Sequence, residues 1–175
     1  MRIFNFDELI SCNLIVDAIY EGGNQGNVLD DPLSKILSVG NKAGFRYSGK
    51  GSNIKYIVLY SSGEDSDWPD SIDIETGIFK YYGDNKNPGN DLHSTSRKGN
   101  LILKNIFANL YNDSNPRQNI PPIFIFRKFP TKKSSRSVQF KGMCVPGADH
   151  LSSTEDLVAV WKSKDGQRFQ NYMAF

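Results

Sequence analysis

The sequence has few of the residues that build disulfide frameworks or zinc centres. It contains two cysteines, Cys12 and Cys144, and two histidines, His93 and His150, among 175 residues. Two cysteines are too few for a disulfide framework, so a reducing compartment is the simpler interpretation. The four side chains stand too far apart in sequence to suggest a zinc site. We therefore predict no bound metal and no cofactor for this chain.

Long apolar runs are also missing. No stretch approaches the roughly 20 consecutive apolar residues of a membrane-spanning helix. The start, MRIFNFDELISC, places Asp7 and Glu8 where a secretory signal needs an uninterrupted apolar segment. We therefore expect a cytoplasmic protein with no membrane partner. With 38% apolar and 23% charged residues, the chain has the composition and length of one globular domain.

Motifs of catalysis are missing as well. Neither histidine neighbours a nucleophile motif such as G-x-S-x-G, and no Walker or dinucleotide-binding glycine motif occurs. The stretch WPDSIDIETG begins like a PD-(D/E)xK nuclease motif, but Glu75 is followed by Thr-Gly, without the lysine. The acids between Asp65 and Glu75 also lack the spacing of a calcium loop. We predict no catalytic residue, and a metal-dependent nuclease acting through this acidic cluster is the alternative from a different class.

The charges are unevenly distributed along the chain. Residues 1–93 hold 8 Lys and Arg against 14 Asp and Glu, whereas residues 94–175 hold 13 against 5. Such asymmetry suggests that one side of the protein faces a polyanion. The alternative is a solvated surface whose charges cluster by chance, and charge alone leaves both open.

Two basic segments suit phosphate groups. The segment TKKSSRSVQFK (131–141) has no acidic residue, and HSTSRKGN places two cations at the start of a predicted helix, whose backbone N–H groups would also attract an anion. Lysine-rich loops also occur for solubility alone, so this alternative stays open. The cations concerned are Lys132, Lys133, Arg136 and Lys141 in the first segment, and Arg97 and Lys98 in the second.

The pattern of apolar residues predicts a mostly β protein. Alternation and turn residues predict strands near 13–20, 55–62, 121–129, 136–145 and 156–163, and hairpins at Thr76-Gly77 and Asp165-Gly166. DDPLSKIL predicts a short helix capped by Asp30 or Asp31, and Leu103, Ile106, Phe107 and Leu110 predict a longer helix with Ser or Thr caps upstream. The elements lack regular strand-helix alternation. The predicted fold class is therefore α+β, with a curved, mostly antiparallel sheet or barrel and about two flanking helices.

The segment DWPDSIDIETGIFKYYGDN (67–85) combines aromatic rings with carboxylates around the Thr76-Gly77 turn. Trp68 and Tyr81 lie 13 residues apart across the turn and could form a slot for a flipped nucleobase, since bases stack on aromatic faces. Asp70, two residues from Trp68, could accept a hydrogen bond from the amino group of cytosine and disfavour thymine, which presents an oxygen there. The alternative is a hairpin whose rings pack across strands and whose acids are solvated.

The run YIVLYSSGEDSDWPDSIDIETGIFKYYGDNKNPGNDLHSTSRKGN (56–100), with VDAIYEGGNQGN and SVGNKAGFRYSG before it, resembles the N-terminal recognition domain of modification-dependent restriction endonucleases of the MspJI and AspBHI type. The likeness is good over residues 13 to about 111 and looser beyond. It implies a single SRA-like domain over residues 1–175, in a bacterial or archaeal protein. Such a domain grips duplex DNA and flips 5-methylcytosine, and also 5-hydroxymethylcytosine, into a pocket.

On matching positions the resemblance implies that Trp68 and Tyr81 flank the flipped base, with Tyr82 beside them, and that Asp70 reads the base edge. The family's magnesium-dependent nuclease domain would follow Phe175, in a parent protein that can be oligomeric. A reader of another mark, such as a glucosylated base or a phosphorothioate, is the nearest alternative. Further DNA contacts are expected, from charge and position alone, at Asn85, Lys86, His93, Arg97 and Lys98 and in the 131–141 segment.

Overall fold

The chain forms two compact units. A computed structural model describes residues 1–40, 43–51 and 53–175, with the backbone alone at 116 and 117. Unit 1 comprises Met1–Ser62 and Pro122–Cys144, and unit 2 comprises Gly63–Pro121 and Val145–Phe175. Assignment of residues 1–175 to a single recognition domain stays a prediction. No helix in the described part of the chain is long and apolar enough to cross a membrane.

Unit 1 is built on a six-stranded sheet with the order β1-β2-β8-β7-β4-β3. Its pairs are antiparallel except for β1 with β2 and β4 with β7. As far as the described residues show, this order is open, with β1 and β3 at its edges, and does not close into a barrel. The strands are β1 Ile3–Phe4, β2 Ile19–Tyr20, β3 Phe45–Lys50, β4 Asn53–Ser61, β7 Ile123–Lys128 and β8 Val138–Cys144.

The core of unit 1 lies where this sheet packs against helix α1, Pro32–Leu37. Tyr20 and Phe126 are fully buried at its centre, with ring centroids 6.3 Å apart in an edge-on arrangement. The Tyr20 hydroxyl donates to the Asn13 carbonyl and accepts from the Ile15 N–H, both at 2.8 Å. Burial of an aromatic ring whose hydroxyl is satisfied in this way stabilises the sheet without leaving an unmade hydrogen bond.

Unit 2 contains a four-stranded sheet with the order β5-β6-β10-β9 and the long helix α2. All its pairs are antiparallel. Helix α2 buries Leu103, Ile106 and Phe107 on one face, as the spacing of apolar residues predicts. The elements are β5 Ser71–Ile72, β6 Phe79–Tyr82, α2 Gly99–Asn112, β9 Leu157–Lys164 and β10 Gln167–Ala174.

The predicted fold class is confirmed, but the strand predicted at 13–20 is mostly wrong. Only Ile19–Tyr20 forms a strand there. The Ala18 N–H donates to the Ile15 carbonyl at 3.0 Å, and Asp17 adopts φ 63°, so the chain makes a tight turn just before β2. An apolar run is compatible with such a turn when its side chains still reach the core, which periodicity alone does not reveal.

A buried ion pair joins α1 to β3. The Asp31 carboxylate caps α1 by accepting from the Ser34 N–H at 3.1 Å, and it lies 2.5 Å from the Arg46 guanidinium. Both side chains are at most 10% exposed. Removing one member of such a pair leaves the other charge buried without its partner.

We therefore expect Asp31→Ala to lower the free energy of unfolding by about 3 to 5 kcal/mol, measured by urea denaturation. Asp17→Asn is the matched control, because the Asp17 carboxylate also forms an ion pair, with Lys141, but is 59% exposed, and asparagine tolerates the left-handed backbone there. That control should lose less than about 1 kcal/mol. Equal losses in the two variants would contradict a stabilising role for the buried pair.

Asp156 of unit 2 is a buried carboxylate whose oxygens form no hydrogen bond of ordinary geometry with a described residue. Both oxygens are inaccessible, and burial raises the pKa of this carboxyl, an effect that the nearby Ala148 N–H offsets only in part. Because the folded state holds the proton more tightly, folding is favoured below the ordinary pKa of 3.8, and this contribution is lost as the pH rises through the raised value.

Asp156→Asn should accordingly raise the free energy of unfolding by about 1 kcal/mol or more near pH 8, since a neutral amide is easier to bury than a carboxylate. The gain should shrink as the pH falls toward 4. Urea titrations at both pH values give the comparison. A gain that is independent of pH would show that charge burial is not its cause.

Candidate nucleic-acid interface

A turn capped by Asp65 positions Trp68 in unit 2. The Asp65 carboxylate accepts from the backbone N–H groups of Asp67 and Trp68, at 3.1 and 3.2 Å, and forms an ion pair with Lys86. Burial raises the pKa of Asp65, but Lys86 and the two N–H groups outweigh this effect and lower it from its ordinary value. The Lys164 ammonium lies 2.8 Å from the Asp67 carboxylate, which raises the pKa of Lys164. The segment before Trp68 is thus fixed at several points.

The Trp68 indole lies among three side chains of the unit 2 sheet. Its ring centroid is 5.8 Å from that of Tyr82, with the planes tilted by 46°, and Phe169 contacts it edge-on at 6.4 Å. The Lys162 ammonium lies 5.5 Å from the Trp68 centroid and 5.3 Å from that of Tyr82, within cation-π range of both rings. These neighbours leave Trp68 3% exposed.

Asp70 is tied to the same strand as Tyr82. Its Oδ1 accepts a hydrogen bond from the Tyr82 N–H at 2.8 Å, and the side chain is half-buried. This bond ties the carboxylate to the backbone of β6 between the two tyrosines, and its charge also acts on Tyr81. The structure therefore brings Trp68, Asp70 and Tyr82 together, as three of the four residues predicted to line a base pocket.

Tyr81 lies on the other face of β6. Successive side chains of a strand point to opposite faces, so Tyr81 and Tyr82 diverge. The ring that contacts Tyr81 is Phe79, at 5.8 Å, and the residue is 3% exposed. Burial, followed by the charges of Asp70 and Asp84, holds the pKa of Tyr81 well above its ordinary value. Thus Tyr82, not Tyr81, is the ring that faces Trp68.

The N-terminus of α2 is capped by a distant carboxylate. Asp84 accepts from the N–H groups of Gly99 and Asn100, both at 2.9 Å, and from the Thr95 hydroxyl at 2.8 Å. Lys98, at the cap position, is left-handed with φ 57° and makes no side-chain cap. This contradicts the predicted Ser or Thr cap. An anion of the protein already binds the N–H groups of Gly99 and Asn100, and the predicted phosphate contact at this helix start stays a prediction.

Three asparagines join the loop after β6 to α2 and β10. Asn171 Oδ1 accepts from Asn100 Nδ2 at 2.7 Å and from the Asn85 N–H at 3.2 Å, and the Asn85 side chain donates to the Gln170 carbonyl at 2.8 Å. Asn85 is 2% exposed. A Cβ at Gly83 would lie 2.0 Å from Asn100 Oδ1, so this position requires glycine. The side chain of Asn85 is thus engaged within the protein, and its predicted DNA contact stays a prediction.

The predicted phosphate-binding cations fall into two groups. Three are engaged by the protein itself, since Lys86 pairs with Asp65, Lys141 pairs with Asp17, and Lys133 lies 3.2 Å from Glu21 and 2.9 Å from Asn5 Oδ1. The other four form no ion pair with any described residue: Arg97, Lys98, Lys132 and Arg136. Lys132 and Arg136 are exposed on the loop between β7 and β8, and this second group is the better placed for phosphates.

His93 is half-buried and pairs with Tyr172. Its Nε2 lies 2.8 Å from the Tyr172 hydroxyl, and the two rings are 5.6 Å apart. Burial and the charge of Asp91 raise the pKa of Tyr172. One ring nitrogen of His93 is thus engaged by the protein, and its predicted DNA contact stays a prediction.

Unit 1 holds a cavity of about 380 Å³ beside the β7-β8 loop. Three carboxylates line it, those of Asp7, Glu21 and Asp30, together with one cation, Lys133. This excess of negative charge is unfavourable for a phosphate. As for metal ions, the described ranges contain no group of three or more His, Cys, Asp or Glu side chains placed to hold one.

Sequence reasoning missed the contributions of Lys162, Phe169 and Asn171 to this site. All three come from β9 and β10, and the pairing of Phe169 with Lys162 places their side chains on one face of the sheet. The predicted Asp165-Gly166 hairpin gave the register of these strands. The sequence did not reveal that β6 is the other neighbour of β10. Strand β6 pairs with Met173 and Ala174, and this pairing aligns β10 with Tyr82.

The chain matches the family model described as restriction endonuclease AspBHI N-terminal over residues 14–175. Among solved structures, the DNA recognition domain of the cytosine modification-dependent restriction endonuclease LpnPI shares 57% identity and a TM-score of 0.95, over 99% of this chain and 77% of that one. The DNA modification-dependent restriction endonuclease AspBHI shares 43% identity and a TM-score of 0.87, over 98% and 78%. The MspJI restriction endonuclease, solved with a 27-mer oligonucleotide, shares 22% identity and a TM-score of 0.53, over 69% and 28%, which is a likeness of fold alone. No curated protein sequence matches the chain.

The fold and these likenesses define the class as an SRA-like recognition domain, mostly β with flanking helices. Within that class, the chain belongs to the family of N-terminal domains of AspBHI-type modification-dependent restriction endonucleases. The resemblance found in the sequence is thereby confirmed.

The Asp84 cap can be tested by its removal. Asp84→Ala should lower the free energy of unfolding by about 1 to 2 kcal/mol, because two N–H groups at the start of α2 lose their acceptor. Asp149→Ala is the matched control, since Asp149 is an exposed carboxylate in the same unit. Urea denaturation gives both values, and equal stability of the two variants would mean that the cap is dispensable.

Proposed function

We propose that this chain is the DNA recognition module of a modification-dependent restriction endonuclease. In this proposal it binds duplex DNA that carries 5-methylcytosine, or 5-hydroxymethylcytosine, and receives the flipped base at Trp68, Asp70 and Tyr82. The observation that carries the proposal is the hydrogen bond at 2.8 Å from the Tyr82 N–H to Asp70 Oδ1, which ties the acid to the residue whose ring contacts Trp68. The 57% identity to the LpnPI domain supports cytosine as the base.

In this proposal the Asp70 carboxylate determines which base is selected. Cytosine presents an amino group on its pairing edge, which donates a hydrogen bond to a carboxylate, whereas thymine presents an oxygen at the same place. If thymine occupied the site, its oxygen and the carboxylate would both be acceptors, and each would be left without a hydrogen bond. Asp70 therefore selects against thymine, the other pyrimidine with a 5-methyl group.

The rings of Trp68 and Tyr82 must move apart if the base enters between them. Their 5.8 Å separation and 46° tilt are those of a direct ring contact. A base sandwiched in parallel needs about 7 Å between the rings, twice the roughly 3.5 Å contact distance of carbon atoms. We therefore propose that binding separates the rings and displaces the Lys162 ammonium that lies over both.

Affinity and cleavage are assigned to other groups. Arg97, Lys98, Lys132 and Arg136 are the proposed phosphate contacts, which add salt-dependent affinity without reading sequence. Cleavage is assigned to a separate, magnesium-dependent nuclease part of the parent protein. Neither role is assigned to the site around Trp68.

The test compares duplexes that differ only in one cytosine. The chain should bind the methylated duplex more tightly than the unmodified one, measured by fluorescence anisotropy at fixed salt. Asp70→Ala should weaken binding to the methylated duplex by about 2 kcal/mol, roughly 30-fold, because a desolvated amino group loses its acceptor. Glu75→Ala, which removes an exposed carboxylate from the same hairpin, is the matched control and should change little.

Two outcomes would contradict the proposal. Equal affinity of the intact chain for both duplexes would show that methylation is not recognised. Tighter binding to a glucosylated or phosphorothioate duplex would show that the chain recognises that modification instead. A loss in Asp70→Ala that is equal for both duplexes would instead assign Asp70 a structural role through Tyr82.

A further inference from the structure

The face of the β9-β10 ribbon opposite the Trp68 site carries an exposed indole and a stacked cation. Trp161 is 53% exposed, and the guanidinium carbon of Arg168 lies 4.7 Å from its ring centroid. Trp161 pairs with Gln170 across the strands, and Arg168 pairs with Ser163. Because side chains alternate along each strand, these four share one face, while Lys162 and Phe169 point to the other.

The ribbon is cationic within an acidic unit. Unit 2 holds 9 Lys and Arg against 13 Asp and Glu, but strands β9 and β10 contain three of those cations and no carboxylate. Lys164 pairs with Asp67, and Lys162 lies over the Trp68 and Tyr82 rings. Arg168 forms no ion pair with a described residue, so its guanidinium keeps its donors for a ligand outside the chain.

We propose that Trp161 and Arg168 form a second DNA contact, which binds a phosphate and the adjoining deoxyribose beside the flipped base. The guanidinium presents a planar fork of donors that matches a phosphate, and its stacking on the indole fixes that plane. The indole offers an apolar face to the sugar. No described residue of either strand carries a carboxylate, which favours a polyanionic ligand over a cationic one.

The position of the ribbon supports DNA as the ligand, and this step rests on the proposed function of the Trp68 site. A layer that packs against either face of a sheet lies about 10 Å from it. The major groove of B-form DNA, about 12 Å wide, admits a two-stranded β-ribbon. A duplex that presents one base to the inner face of the ribbon therefore has backbone within reach of the outer face. Arg168 and Trp161 are the outer-face side chains suited to meet it.

The experiment measures separately how the charge of Arg168 and the ring of Trp161 contribute to DNA binding. Arg168→Gln should weaken binding to methylated and unmodified duplexes alike, by about five- to tenfold at 0.1 M salt. It should also reduce the slope of log affinity against log salt concentration by about one. Arg168→Lys should retain the slope, and Trp161→Ala should weaken binding with the slope unchanged. Lys104→Gln, which removes an exposed charge from α2, is the matched control and should alter neither quantity.

The outcomes distinguish this inference from the proposed function. If the intact chain prefers the methylated duplex but Arg168→Gln behaves like Lys104→Gln, the second contact is overturned and the base site stands. If the intact chain binds both duplexes equally while Arg168→Gln still lowers the slope, the base site fails and the second contact stands. A smaller sedimenting species for free Trp161→Ala, with unchanged DNA affinity, would assign this face to self-association and overturn the inference.

Discussion

A buried hydrogen bond, from Asn100 Nδ2 to Asn171 Oδ1 at 2.7 Å, joins the main helix of unit 2 to its central strand. Asn171 Oδ1 also accepts from the Asn85 N–H, so the loop after β6 is fixed by the same oxygen. The arrangement leaves Asn171 Nδ2 buried without a partner among the described residues, which costs about 1 to 3 kcal/mol. Such a cost is tolerated where a polar network specifies one arrangement of helix, loop and strand.

The candidate site depends on this arrangement. The loop begins directly after Tyr82, and Asp84 within it caps α2. Tyr82 is thereby held between a strand and a capped helix, and its N–H orients the Asp70 carboxylate. The backbone from Tyr82 to Asp84 therefore connects the helix cap to the acid that we propose reads the base. Because both ends of this segment are hydrogen-bonded, the backbone N–H that binds Asp70 keeps a defined position.

The concentration of negative charge beside aromatic rings has a structural explanation as well as a functional one. Asp65 fixes the turn before Trp68, Asp67 pairs with Lys164, and Asp84 caps α2. These acids act within the protein, so their number alone did not indicate a ligand. The same holds for part of the basic charge, since Lys86 and Lys133 are engaged by carboxylates of the chain.

Local patterns in the sequence predicted both helices and the β9-β10 hairpin, because short-range rules determine them, but they missed β3 and misplaced the strand at 13–20. Asp31 and Pro32 start α1, apolar spacing marks α2, and turn residues mark the β9-β10 hairpin. Contacts between distant segments were not predictable in this way. The partner of Trp68 depends on which face of β6 carries each tyrosine, and the cap of α2 comes from a residue 15 positions upstream. Both follow from tertiary packing, which overrides local propensity.

The division of charge between the units suits the proposed function. Unit 1 holds 12 Lys and Arg against 6 Asp and Glu, and all six charged residues of its second segment, 122–144, are basic. Unit 2, which carries the site, is net acidic. In the proposed function, Lys132 and Arg136 of unit 1 contribute affinity for any duplex, because phosphates are the same in every sequence. Unit 2 also contributes proposed phosphate contacts, at Arg97, Lys98 and Arg168, but in the proposed function the discrimination between bases comes from Asp70 and the rings alone. Under this proposal, unmodified DNA would be held by the phosphate contacts alone, and it would therefore be released more readily than methylated DNA.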